Sequence, residues 1–195
     1  MKKLFFFKSI FLLLLATNLH AALEDFYLGV AYSSGSGEIE QENSSVTKSG
    51  FDSTAASFKV GYMLENEERI VISYETLKMD LDAGFTWYGQ TQPEIRGFNA
   101  DAFFTLPISN FSPFLMLGLG SYSLEDSAKH FVKEYDLSAV SFNYGLGFFY
   151  MVDSIELELS YNGKYLSWED VESNNVKTST KTTIDYFSVG INIHF

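Results

Sequence analysis

The chain has 195 residues and a formal net charge of −12, with 19% charged and 17% aromatic residues. That length suits one domain with its own core, so no staple is required. The absence of cysteine excludes disulfides, thiolate metal sites and cysteine nucleophiles. The acidic balance excludes a surface built to neutralise nucleic-acid phosphates.

Residues 1–21, MKKLFFFKSIFLLLLATNLHA, begin with Lys2, Lys3 and Lys8 and continue into an apolar stretch, Ile10 to Ala16. This stretch is too short for a membrane-spanning helix but has the layout of a secretory signal, with small residues at Ala21 and Ala22 for cleavage. Residues 1–21 are therefore predicted to be a signal peptide for Sec export, and residues 22–195 the folded domain. Losing three of 13 basic residues leaves 10 against 25 acidic ones, a mature net charge of −15.

The rest of the chain alternates with period two, the signature of strands with two unlike faces. Eight segments follow: about 24–34, 53–64, 69–79, 94–106, 113–124, 137–151, 154–168 and 181–195. One phase is apolar, as in Leu28/Val30/Tyr32, Leu115/Leu117/Leu119 and Phe187/Val189/Ile191/Ile193/Phe195. The other carries Lys59, Glu75, Asp101, Glu156, Glu158 and Lys164 together with Asn99, Asn143, Asn162 and Asn192. The segments are long enough for the roughly 9–11 residues of a tilted membrane strand, whereas soluble strands average about 5–6. The connections 65–68, 107–112 and 152–153 are short, and 35–52, 80–93, 125–136 and 169–180 are long and polar. Short turns at one end and long loops at the other is the layout of a membrane barrel, which turns its apolar face to lipid. Two aromatic belts are expected: Tyr62, Phe104, Phe114, Tyr150 and Phe195 at the short-turn end, and Tyr32, Tyr74, Tyr161, Tyr165 and Trp168 toward the loops. The fold predicted is all-β, an eight-stranded antiparallel up-and-down transmembrane barrel.

The final segment, Tyr186-Phe187-Ser188-Val189-Gly190-Ile191-Asn192-Ile193-His194-Phe195, resembles the C-terminal β-signal of Gram-negative outer-membrane proteins. The alternation over 22–195 resembles the small barrels of the OmpA transmembrane-domain, OmpX and opacity-protein type. The resemblance implies an outer-membrane location in contact with lipid bilayer and lipopolysaccharide. It also implies that Phe187, Gly190, Ile191, Ile193 and Phe195 form the signal read by the barrel-assembly machinery. No appended peptidoglycan-binding domain is expected.

Eight strands enclose a lumen that side chains fill. Lys59 and Lys164 are expected to pair with carboxylates among Glu75, Asp101, Glu156 and Glu158, because an unpaired buried charge costs several kcal/mol. Four acids against two bases imply a hydrated lumen or a protonated carboxyl. The glycines of Gly118-Leu119-Gly120 and Gly145-Leu146-Gly147 are expected to face inward and make room for Phe103 and Phe149. They do not form a phosphate loop, since no Lys-Ser/Thr follows, and no cofactor is predicted.

Catalytic candidates are sparse. His130 with Ser123, Ser127 or Glu134 is the one arrangement open to a lipid-modifying chemistry, but no His-x-Ser motif accompanies it. Glu156 and Glu158 lie about 7 Å apart on one strand face, a glycosidase-like spacing without a cleft. Asp80/Asp82 and Glu169/Asp170/Glu172 are solvated loop acids without an EF-hand pattern. Residues 33–52, rich in Ser, Gly and Glu, are expected to be mobile. Phe85, Trp87 and Tyr88 are candidate loop contacts, open to folding over the barrel mouth, inserting at the lipid interface or contacting a partner, with the interface preferred. The functional expectation is a non-enzymatic barrel with a structural and surface-interaction role, set against a narrow pore and a lipid-modifying enzyme.

Overall fold

The computed structural model describes residues 25–43, 45–64, 67–87, 89–124, 137–173 and 176–195. The predicted signal peptide, Tyr88, Ser127, His130 and Glu134 lie outside these. The strands are β1 (Phe26–Glu42), β2 (Val46–Met63), β3 (Arg69–Leu81), β4 (Glu94–Thr105), β5 (Phe111–Leu124), β6 (Ser138–Val152), β7 (Ile155–Trp168), β8 (Val171–Ser173) and β9 (Val176–His194). Sequential neighbours pair antiparallel from β1 to β7, β7 pairs with β9, and β9 returns to β1. The short β8 pairs only with the upper end of β9, so the barrel has eight staves. Direct neighbours can be followed once round: Phe58, Tyr74, Phe98, Ser121, Val140, Ser167, Lys181, Glu40, Lys48. The path returns to β2 displaced by 58 − 48 = 10 residues. That shear tilts the strands by about 40° and closes the sheet, so no edge is exposed to lipid.

Each short turn holds a non-glycine residue in the left-handed region: Glu67 (φ 60°), Ser109 (φ 59°) and Asp153 (φ 54°). The opposite end departs from expectation. Residues 35–52 are not a mobile loop. They continue β1 and β2 in register up to Glu42↔Val46. Most of 169–180 is likewise strand, in β8 and β9. Lys48 Nζ sits 2.8 Å from both Glu38 and Glu40 on the face of the first hairpin. Lys177 Nζ lies 2.9 Å from Asp170, and this hydrogen bond holds the Asp170 carboxyl below its usual range.

The longer strands follow from an exchange of faces along the barrel axis. On β7 the outward residues Ile155, Leu157, Leu159, Tyr161 and Tyr165 are exposed and apolar, while Leu166 and Trp168 above them point inward and are buried. The same switch falls between Phe187 and Tyr186 on β9, between Ala56 and Ala55 on β2, and between Tyr74 and Leu77 on β3. Below it, apolar side chains face out. Above it, the outward positions are Ser34, Ser36, Glu38, Asp52, Thr54, Thr76, Lys78, Ser121, Ser167 and Thr183, and the apolar ones face in. The ten steps from Ile155 to Tyr165, at about 3.3 Å each and 40° tilt, make an apolar band roughly 25 Å tall, the height of a bilayer core.

Aromatic pairs rim the band. Phe26–Tyr62 and Phe111–Phe148 stand at the short-turn end, with ring centroids 4.9 and 5.0 Å apart. Tyr74–Phe98 and Tyr161–Phe187, each 5.0 Å apart, lie toward the other end. Two expected belt members belong elsewhere. Phe114 and Trp168 are buried inside the barrel, because each lies on the inward phase of its strand.

Two interior tyrosines lie flat over glycines on the next strand. A Cβ on Gly61 would overlap the Tyr27 ring and one on Gly97 the Tyr122 ring, across the direct pairs Tyr27↔Gly61 and Gly97↔Tyr122. Glycine supplies the space, and the ring covers the backbone it leaves bare.

Leu159→Arg, at mid-height on the outward face, is expected to destabilise the barrel by about 2–4 kcal/mol. Ser36→Arg, outward but above the band, should change stability by less than about 0.5 kcal/mol. Urea unfolding in lipid vesicles measures both.

Candidate functional site

The lumen is stacked in three layers. At the short-turn end Tyr27, Val71, Phe103, Phe114, Met116 and Phe149 form an apolar cluster. Phe114 meets Phe149 at 4.5 Å and Phe103 at 5.0 Å, the latter edge-on. At the hairpin end a larger apolar cluster includes Ile39, Phe51, Leu77, Met79, Leu81, Ile95, Leu124, Leu137, Leu166, Trp168 and Ile184. Between them lies the polar layer that the alternating sequence predicts.

Its ion pairs are specific. Lys59 Nζ donates to both Glu158 oxygens at 2.8 Å. Lys164 Nζ contacts Glu75 and the Tyr122 hydroxyl. The Tyr122 hydroxyl is 2.8 Å from Glu75 Oε1 and from Asn99 Oδ1. Asn143 Nδ2 donates at 3.0 Å to Asn99 Oδ1 and to Asp101 Oδ1. Glu156 takes neither lysine. Arg69 binds it with both terminal nitrogens, at 2.6 and 2.8 Å, and Asn192 Nδ2 adds a bond of 2.9 Å. The Arg69 guanidinium also lies 3.8 Å from the centroid of the Phe149 ring. His194 stacks on Tyr27 at 4.9 Å, and its Nε2 is 3.6 Å from Glu156.

Arg69 is the residue that the sequence reading missed, and it corrects the charge count to three cations against four carboxylates. Its signal was available, since residue 69 shares the phase of Val71, Ser73 and Glu75. Burying these charges is favourable only with bidentate geometry and further hydrogen bonds, and Glu156 and Glu158 both have a two-oxygen partner. Held in this way, they do not act as an acid–base pair across a substrate cleft.

The inward glycines leave room for polar groups more than for rings. A Cβ on Gly118 would overlap Asp101, one on Gly120 would meet Asn99 and Ser141, and one on Gly145 would overlap Asn162. Of the four glycines in the two Gly-Leu-Gly segments only Gly147 faces an aromatic, Phe114, so the expectation of Phe103 and Phe149 is corrected. The polar layer encloses a cavity of about 40 Å³, lined by Lys59, Glu75, Asn99, Asp101, Asn143 and Lys164 among others. That is space for about two or three waters.

The loop aromatics also move. Trp87 is fully buried in the barrel mouth, edge-on to Trp168 at 4.7 Å. Phe85 packs against the same cluster half-buried. Trp87 therefore does not reach the lipid interface: the apolar mouth above the band offers a closer place to bury the indole. Gly84 (φ 90°) and Gly89 (φ 81°) flank it and let the segment bend inward.

Phe187, Ile191, Ile193 and Phe195 face outward and are exposed, and Gly190 faces inward beside Ala31 and Glu158. Among the described residues no three His, Cys, Asp or Glu side chains converge on a possible metal position. Ser123 is exposed on the outer face, and the other members of the His130 arrangement lie outside the described residues.

Lys59→Met is expected to cost about 3–5 kcal/mol, because Glu158 stays buried without its cation. Adding Glu158→Leu should recover most of that loss. Denaturant unfolding of the two variants in one lipid system checks both.

Residues 9–195 match the family model of the outer membrane protein beta-barrel domain. No curated protein sequence matches the chain. Among solved structures the chain is similar to Neisserial surface protein A, with 17% identity and a TM-score of 0.54, over 88% of this chain and 97% of that one. It is also similar to OprG of Pseudomonas aeruginosa, with 12% identity and a TM-score of 0.49, over 87% and 96%. A further similar structure is the outer membrane enzyme PagL, with 10% identity and a TM-score of 0.43, over 86% and 99%. The family match joins the closed eight-stave barrel and its lipid-facing band: this chain belongs to the outer-membrane β-barrel family, and its place is the outer membrane of a Gram-negative cell.

Proposed function

We propose that this barrel is a non-enzymatic outer-membrane protein with a structural and surface-interaction role, acting through the parts that stand outside the lipid. In this reading residues 1–21 direct export and are removed. Phe187, Gly190, Ile191, Ile193 and Phe195 serve as the assembly signal. The hairpins β1–β2 and β8–β9 are presented to the exterior.

The observation that carries the reading is the apolar core of the hairpin end. Ile39, Phe51, Leu77, Leu166, Trp168 and Ile184 are buried above the apolar band, where no lipid requires a barrel to continue. A core there makes the protruding strands a firm platform, and ordered surface is what a binding surface needs to limit its entropy cost. Two features weigh against a pore. Both ends of the lumen are filled with apolar side chains, and the cavity between them is only about 40 Å³. Against an enzyme, the interior carboxylates Glu75, Glu156 and Glu158 are all committed to cations.

Purified protein in planar bilayers is expected to give no discrete channel events. Stepwise conductance of uniform size would replace this reading with the pore. Lipid A from cells with and without the gene should give the same mass spectrum, and a lost or gained acyl chain would replace it with the enzyme.

A further inference from the structure

Half of the lumen wall in the polar layer is built from short oxygen side chains. Ser188 on β9, Ser33 on β1, Ser57 on β2, Ser73 on β3 and Asp101 on β4 stand on adjoining staves, all on the inward phase. Ser33 pairs directly with Ser188. Ser73 stands one inward position above Val71, the direct partner of Asp101. The opposite wall carries longer side chains, Asn143 on β6 and Glu158, Asn162 and Lys164 on β7. The cavity of about 40 Å³ is the space that the short side leaves, and all five of its residues line it.

Oxygen atoms along this wall lack partners. Ser33 and Ser188 are more than nine-tenths buried. Among the described residues nothing hydrogen-bonds their hydroxyls or that of Ser57. Asp101 Oδ1 is packed over Gly118 and receives Asn143 Nδ2 at 3.0 Å. No described donor reaches its Oδ2. Charge is unbalanced at the same place. The charged residues that line the cavity are Lys59, Lys164, Glu75, Glu158 and Asp101. Lys59 is held by Glu158 and Lys164 by Glu75, so the surplus falls on Asp101. Arg69 and Glu156 cancel each other, and His194 stands beside Glu156 at the short-turn mouth. None of these three lines the cavity.

We propose that this cavity binds one alkali cation of about sodium's size, with Asp101 Oδ2 as its charged ligand and the serine hydroxyls and enclosed water completing its oxygen shell. A carboxylate enclosed at membrane height without a cation is costly, and an ion in the adjoining space removes that cost. The donor set selects the ion. One carboxylate among neutral oxygens suits a monovalent cation, whereas calcium draws on several carboxylates. Among the described residues no three acids or histidines converge on such a position. Neutral protein oxygens also coordinate sodium at membrane depth in transporters. The ammonium groups of Lys59 and Lys164 oppose a cation, but each is screened by its own glutamate. Apolar clusters close the lumen above and below. The ion therefore enters as the barrel closes and leaves only when it opens. The site concerns what fills the lumen, and it stands whether or not the hairpins engage a partner.

The test refolds the whole barrel into detergent micelles in radioactive sodium chloride at neutral pH, transfers it to choline chloride and counts the sodium retained. The natural sequence is expected to keep one sodium per barrel, and Asp101→Asn none. Ser33→Ala/Ser188→Ala should need several-fold more sodium for half loading. Unfolding in urea is then timed after refolding in sodium chloride or in choline chloride of equal ionic strength. The natural sequence should unfold about tenfold faster from choline. Asp101→Asn should unfold slowly from both, an effect that a misfolded variant does not mimic. Retained heat-modifiability on a gel shows that each variant is folded. No retained sodium, or equal retention by Asp101→Asn, would overturn the site. So would equal unfolding rates of the natural sequence from the two salts, since a proton would then neutralise the surplus carboxylate. Unchanged half loading in the serine variant would overturn the hydroxyls as ligands.

Discussion

The structure depends on closing every backbone hydrogen bond within one sheet. In hydrocarbon an unpaired N–H or C=O costs several kcal/mol, so a strand survives there only in a barrel without edges. The ten-residue shear and the β1–β9 seam meet that demand. Once the sheet is closed, each stave has one face toward the surroundings and one toward a narrow lumen. Which face is apolar is then decided locally by what lies outside. In the band, lipid lies outside and the outward phase is apolar. Above the band, water lies outside and the hydrophobic effect acts in the usual direction, drawing Ile39, Leu77, Leu166 and Trp168 inward.

The cost of this arrangement falls on the polar layer. Charged side chains enclosed at membrane height lose their hydration and must recover it from one another. Arg69 with Glu156, Lys59 with Glu158, and Lys164 with Glu75 and Tyr122 do this across the lumen, between staves far apart in sequence. The pairs tie together strands that neighbour each other only through intermediaries. A register slip of one residue on any of these staves would bring the charges to the lipid face, so the network specifies register as well as filling space.

The same physics explains which parts of the fold were legible in the sequence. Alternation in the band is bulky against polar over five or more positions, and it revealed the eight staves, their order and their faces. The hairpin end was misread because the apolar phase shifts by one where lipid gives way to water. On β1 the apolar positions pass from Tyr32 to Ile39, and a reader following the even phase sees a Ser/Gly/Glu loop where the strand continues. Trp87 was misplaced for a related reason: an aromatic in a loop has no periodicity to assign its direction, and only the three-dimensional mouth shows where it can be buried. Arg69 was lost at the very start of its segment, one step of the same phase before Val71. Lys59, Glu75, Glu158 and Lys164 were legible because charge on a strict alternation has only one enclosed place to go. Their partners were not, since pairing across the lumen depends on shear.

Cysteine scanning tests the exchange of faces most directly, since the chain contains no cysteine. Single cysteines would replace Val30, Ser36, Ile39 and Leu166 in otherwise intact barrels. Spin labels attached to them in bilayers would be compared for relaxation by dissolved oxygen and by a water-soluble nickel reagent. The label at position 30 should respond to oxygen and that at 36 to nickel, while those at 39 and 166 should respond weakly to both. A nickel response at 39 or 166 equal to that at 36 would contradict an enclosed apolar core above the membrane.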